Sequence, residues 1–193
     1  MKLYLLIFLL PLWALADSTL VILGDSLSEG YGVEKENAYP TLLEKKLKGW
    51  KIVNSSISGS TSASGPGRVA WVLKSKPRAV LVALGGNDGL RGLEPKEMKK
   101  NILATIANIK KSGAKILLAG MMAAPNLGKD YTSRFSAVFK EIAREEKIPL
   151  YPFLLEGVAG VPKLNQPDGI HPNKEGHKIL AEKIYPFLQE ELP

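Results

Sequence analysis

The stretch Thr19-Leu20-Val21-Ile22-Leu23-Gly24-Asp25-Ser26-Leu27-Ser28 decides the fold. Its apolar run leaves no alternation between a wet and a dry face, so it reads as a strand covered on both sides. Gly24 ends the run and short polar residues follow, the composition of a tight turn. A second run, Ala79-Val80-Leu81-Val82-Ala83-Leu84, has the same character and ends in Gly85-Gly86-Asn87-Asp88. Strands buried on both faces belong to parallel sheets with helices on each side.

Working outward, apolar runs alternate with amphipathic stretches. Residues 50–53, 115–119 and 149–153 read as three further strands. Residues 40–48 carry Leu42, Leu43 and Leu47 at helical spacing, and residues 95–112 carry Met98, Ile102, Ile106 and Ile109 before Gly113 stops the helix. Residues 131–146 and 173–191 give two more helices, the last with Leu180, Ile184, Phe187 and Leu188 inward. This rhythm predicts one α/β domain: a doubly wound sheet of about five parallel strands in the flavodoxin-like order 2-1-3-4-5. Ligands in such sheets bind beyond the carboxyl ends of the strands, where the winding reverses, here between strands one and three.

The 193 residues are 45% hydrophobic, enough for one buried core but cramped for two. Residues 1–16 are set apart: Lys2, an apolar run over residues 3–12, and Ala14-Leu15-Ala16 have the layout of a secretory signal cleaved after Ala16, leaving the domain in residues 17–193. The run is short for a bilayer span. The mature product is therefore expected to be exported to the periplasm or medium, without a stable membrane span. The chain has no cysteine, which excludes thiol chemistry and disulfides. The net charge of +7 comes from lysines spread over helix-like segments and reads as a solvated face, with a weak pull toward anionic surfaces. No nucleic-acid motif accompanies it.

The chemistry-bearing residues follow the strands. Ser26 sits just past strand one, preceded by glycine. Position 28 is serine, so this is not the Gly-x-Ser-x-Gly elbow of α/β-hydrolases. After strand two, the small residues around Gly59 let backbone approach a ligand, offering its amide as a donor. After strand three, Asn87 can aim its amide at a developing oxyanion. Near the carboxyl terminus, Asp168 and His171 stand three apart in Asp168-Gly169-Ile170-His171-Pro172, so the carboxylate can fix one imidazole nitrogen and leave the other as a base. The only other histidine, His177, lies inside the last helix, where a solvated or packed role is expected. Asn173 is a candidate cap for that helix. Asp25 and Asp88 are expected to tie down their turns through backbone amides.

The blocks Gly24-Asp25-Ser26-Leu27-Ser28, Gly59, Gly85-Gly86-Asn87-Asp88 and Asp168-Gly169-Ile170-His171-Pro172 resemble the four signature blocks of the SGNH (GDSL) hydrolase superfamily, near its bacterial periplasmic thioesterase, lysophospholipase and arylesterase branches. The resemblance covers residues 19–190. It implies Ser26 as nucleophile, Asp168 and His171 as the rest of a triad, and the Ser26 amide, the Gly59 amide and the Asn87 side chain as oxyanion donors, without metal or organic cofactor. Two departures stand out. Ser60 occupies a position that is acidic in the thioesterase branch, and residues 120–128 are less basic than their counterpart, closer to the arylesterase branch.

The expected partner is a small acyl ester or thioester, its acyl chain held by apolar loop residues: Met121, Met122, Leu127, Leu155 and Val158. A carbohydrate O-acetyl esterase is the alternative within the class. A dinuclear metallophosphoesterase wants more than the two histidines present. A non-catalytic flavodoxin-like binding module shares the fold, but neither a Gly-x-Gly-x-x-Gly nor a phosphate loop appears.

Overall fold

A computed structural model describes residues 18–192. The expected signal over residues 1–16, with its cleavage after Ala16, lies outside the described residues. Five parallel strands form one sheet in the order β2-β1-β3-β4-β5. They are β1 (Ser18–Gly24), β2 (Trp50–Asn54), β3 (Ala79–Ala83), β4 (Lys115–Ala119) and β5 (Leu150–Tyr151). The expected order and direction hold. The two apolar runs are the central neighbours, with Leu20 beside Ala79 and Gly24 beside Ala83, and Leu20, Val21, Ile22 and Leu23 are wholly buried. β5 is shorter than its sequence suggests because Pro149 and Pro152 bracket it, and proline has no N–H for the ladder.

Among the described residues, seven α-helices connect or follow the strands: α1 (Ser26–Glu29), α2 (Tyr39–Lys46), α3 (Gly65–Val72), α4 (Gly86–Leu90), α5 (Pro95–Lys110), α6 (Lys129–Glu146) and α7 (Lys174–Glu191). α2 and α7 pack together on one face of the sheet, and α3, α5 and α6 lie in a row on the other. Ile102 and Ile106 of α5, which the spacing predicts to face inward, are wholly buried, as are Phe135 and Ile142 of α6. α3 was not apparent in the sequence. Gly65-Pro66-Gly67 reads as a turn, yet proline is well suited to a helix's first turn. The right-handed crossover from β2 to β3 needs a covering helix, and α3 buries Val69 and Val72 to supply it.

Candidate active site

The carboxyl ends of β1 and β3 meet at Gly24 and Ala83, and the site is built there. Gly24 is required by close approach: a Cβ at this position would lie 2.7 Å from the Ser28 side chain and 2.9 Å from Ser56 Oγ. Asp25 caps α1 by accepting the Leu27 N–H at 3.1 Å. The turn from strand to helix therefore delivers Ser26 as the first helical residue at the sheet's rim.

Across from it, the long segment between β5 and α7 returns over the sheet. Asp168 Oδ1 accepts the backbone N–H groups of Ile170 and His171, at 2.9 and 3.0 Å, and Oδ2 lies 2.7 Å from His171 Nδ1. The backbone N–H of His171 foremost, then its ring and the Ile170 amide, hold the Asp168 carboxyl down to about 2. An ionised carboxylate can only accept, so Nδ1 carries the proton. Nε2 is then the acceptor for the Ser26 hydroxyl, 2.9 Å away. Asn173 caps α7 as expected, accepting from the amides of Glu175 and Gly176 at 3.0 and 3.1 Å.

Two further contacts fix the imidazole. The Tyr31 ring packs on it at 4.7 Å between centroids. Gln166 donates its backbone N–H to His171 O at 2.7 Å, while its side-chain amide donates to Tyr31 O at 2.7 Å and Pro172 O at 3.0 Å. Gln166 thus ties the loop carrying the Asp–His pair to the chain leaving α1. Sequence reasoning missed Tyr31 and Gln166, since these bonds join backbone of distant segments and leave no local pattern.

Asn87 is the second residue of α4, next to Asp25. Its amide favours the charged form of the Asp25 carboxyl, but no well-formed hydrogen bond fixes it among the described residues. Burial dominates at Asp25, whose Oδ2 has no hydrogen-bond partner, and lifts its pKa to about 6. Asp88 anchors the same turn as expected: its carboxylate accepts the Ser62 N–H at 2.7 Å and the Ser62 hydroxyl at 2.6 Å. Gly59 sits in an exposed turn with φ +75°, a conformation suited to glycine.

A cleft of about 70 Å³ is lined by Ser26 and Asn87 with the apolar Leu90, Met121, Met122, Leu155 and Ile170. Of the five apolar residues expected to line it, Met121, Met122 and Leu155 do so. Val158 does not: it is wholly buried in the core, in a region that packs against Gly176 of α7. Leu127 also lies outside the lining, near Gly92. Leu90 and Ile170 were missed, although Ile170 sits inside one of the signature blocks and Leu90 two residues past another. An apolar residue beside a polar turn was the available signal. His177 is packed rather than solvated. Its Nδ1 accepts the Tyr39 N–H at 3.3 Å, capping α2 from α7.

A buried parallel sheet with a serine, an imidazole and a carboxylate linked at its carboxyl edge, and a lone amide side chain beside them, defines the SGNH class of hydrolases. Comparison with known proteins agrees. The GDSL-like lipase/acylhydrolase family model matches residues 22–179, and the chain belongs to that family; it is an SGNH-type enzyme that acts on esters. It is 41% identical over 179 residues to esterase TesA of Pseudomonas aeruginosa, covering 90% of this chain and 89% of that one. It is also 41% identical over 188 residues to thioesterase 1/protease 1/lysophospholipase L1 of Escherichia coli K12, covering 96% and 90%. A crystal structure of TesA superposes with a TM-score of 0.87 at 40% identity, over 91% of this chain and 100% of that one.

Proposed function

We propose that the protein is exported and hydrolyses carboxylic acyl esters and thioesters through an acyl-enzyme on Ser26. The observation that carries this reading is the relay of 2.9 Å from Ser26 Oγ to His171 Nε2 and 2.7 Å from Nδ1 to Asp168. As Ser26 Oγ bonds to the acyl carbon, its proton passes to Nε2, and the ionised Asp168 stabilises the imidazolium. The carbonyl oxygen becomes an oxyanion facing the Ser26 amide, the Gly59 amide and the Asn87 side chain. Collapse expels the alcohol or thiol, which takes the proton from His171. Water, deprotonated by the same nitrogen, then releases the acid and regenerates Ser26.

The names of the relatives support both ester and thioester substrates. The apolar lining supports a hydrocarbon acyl group, with Met122 and Ile170 at the exposed rim. The small cleft volume favours a second reading, a carbohydrate O-acetyl esterase, in which acetate fills the enclosed part. One experiment tests both. A fluorophosphonate should label wild type and not Ser26→Ala, and hydrolysis rates should be measured over an acyl-length series offered as aryl esters and thioesters. Labelling that survives Ser26→Ala would remove Ser26 as nucleophile. A sharp preference for acetate would select the second reading.

A further inference from the structure

Because all five strands run parallel, every helix-to-strand connection lies at one end of the molecule and every strand-to-helix connection at the other. The two ends differ in charge. At the helix-to-strand end, Lys45, Lys48 and Lys51 flank the start of β2, and Lys74, Lys76 and Arg78 precede β3. All six are exposed, as is Lys111 before β4. None of these seven is in an ion pair among the described residues, whereas Lys110 and Lys115 at the same end are matched by Glu146 and Glu191. On the connections at the end bearing Ser26, exposed acidic side chains outnumber basic ones, with Glu29, Glu34, Glu36, Glu94 and Asp168 against Lys35, Arg91 and Lys163.

Apolar exposure divides the same way. Of the seven large hydrophobics exposed among the described residues, six, Leu90, Met122 and Ile170 among them, lie on strand-to-helix connections. The seventh is Trp71, 67% exposed in the last turn of α3 at the basic end, with Lys74 Nζ 4.5 Å above its ring. An exposed tryptophan beside free lysines is the pairing that settles at the headgroup level of a bilayer. The chain also enters β1 at this end. The Ser18 N–H donates to Gly49 O at 2.8 Å and Arg78 donates to Ser18 Oγ at 3.3 Å. Ser18, the first described residue, therefore sits between the basic connections that lead into β2 and β3.

We propose that this basic end is a docking face for a bilayer surface bearing anionic phospholipid, which the protein meets with Trp71 inward and the Ser26 cleft turned toward water. Charge selects the orientation: the acidic end is repelled by the surface that attracts the lysines. The proposal does not depend on the chemistry at Ser26, so it can fail while the hydrolase reading stands.

The test uses protein recovered after export, its N-terminus read by mass spectrometry. It is floated with vesicles of phosphatidylcholine alone, and with about 30% phosphatidylglycerol. The anionic vesicles should recruit it and about 0.5 M salt should release it. Lys48→Glu, Lys74→Glu and Lys111→Glu combined, one substitution from each connection, should weaken recruitment about 100-fold, at about fivefold per basic side chain. The thermal midpoint and the turnover of a soluble aryl ester should hold, showing that the variant is folded. Trp71→Ala should weaken recruitment with the same controls. Equal flotation with both vesicle types, or undiminished binding by the triple variant, overturns the proposal. Retention on duplex DNA at the same salt as tight as on the vesicles would assign the face to nucleic acid instead.

Discussion

The Glu29 carboxylate accepts two hydrogen bonds from Ser58, one from its backbone N–H at 2.8 Å and one from its hydroxyl. Ser58 immediately precedes Gly59, whose carbonyl accepts from Arg91 Nη2 at 3.1 Å. Glu29 belongs to α1, which begins at Ser26, and Arg91 caps α4, which carries Asn87. The turn holding the third proposed oxyanion donor is thus gripped by the two helices that carry the other two. Glu29→Ala should lower kcat about tenfold with KM little changed, because a loosened donor acts mainly on the transition state. Glu29→Gln keeps an acceptor for the Ser58 N–H and should recover part of the loss. Steady-state kinetics on one ester read both, and an unchanged kcat in Glu29→Ala would mean the grip is idle.

Asn87→Ala should reduce kcat by about 10²–10³, the usual consequence of losing one oxyanion donor. Fluorophosphonate labelling of Ser26 in that variant checks that the nucleophile survives. An enzyme within about twofold of wild type would remove Asn87 from the hole.

Gln166→Ala removes one hydrogen bond joining the Asp–His loop to the segment after α1, at Tyr31 O, and a second within that loop, at Pro172 O. Stability should fall by roughly 1–2 kcal/mol in a urea titration. Activity should fall further than stability explains, because the loop carrying His171 loses its side-chain tether to Tyr31 O while the turn carrying Ser26 keeps its own.

His177 predicts an acid sensitivity unrelated to catalysis. Burial foremost, with the charge of His171 adding to it, lowers its pKa from 6.5 to about 4. Between those values the unfolded chain binds more protons than the folded one, so stability should decline as pH falls from 6.5 to 4 and be level above 6.5. His177→Gln should flatten that decline by roughly 2 kcal/mol. Urea midpoints at pH 4.5 and 7.5 in the two proteins provide the comparison, and parallel declines would refute it.

Val158 and Ile170 separate core from cleft. Val158→Ala should cost about 1–2 kcal/mol of stability and leave acyl-length preference alone. Ile170→Ala should do the reverse, since that side chain is 38% exposed and lines the cleft.

β1 and β3 were legible because continuous apolar runs have few homes other than a covered parallel sheet. Asp168 and His171 were legible because two groups three apart can meet across one turn, in a chain with few imidazoles. α3 was hidden by Gly65-Pro66-Gly67, where local turn chemistry and the demands of the crossover point in opposite directions. Val158 and Leu155 look alike in sequence as apolar residues of one loop, and only the packing of α7 sends the first into the core. Glu29, Arg91 and Gln166 act on backbone groups far along the chain, an arrangement that side-chain type alone does not announce.

The prolines bracketing Leu150–Tyr151 bear on how the molecule behaves among its own copies. A sheet that ended in a long, regular outer strand would offer a template on which another chain could polymerise. This one ends in two paired residues with no N–H on either flank, and its opposite margin carries the exposed Lys51. Crowded solutions should therefore be tolerated without fibril growth.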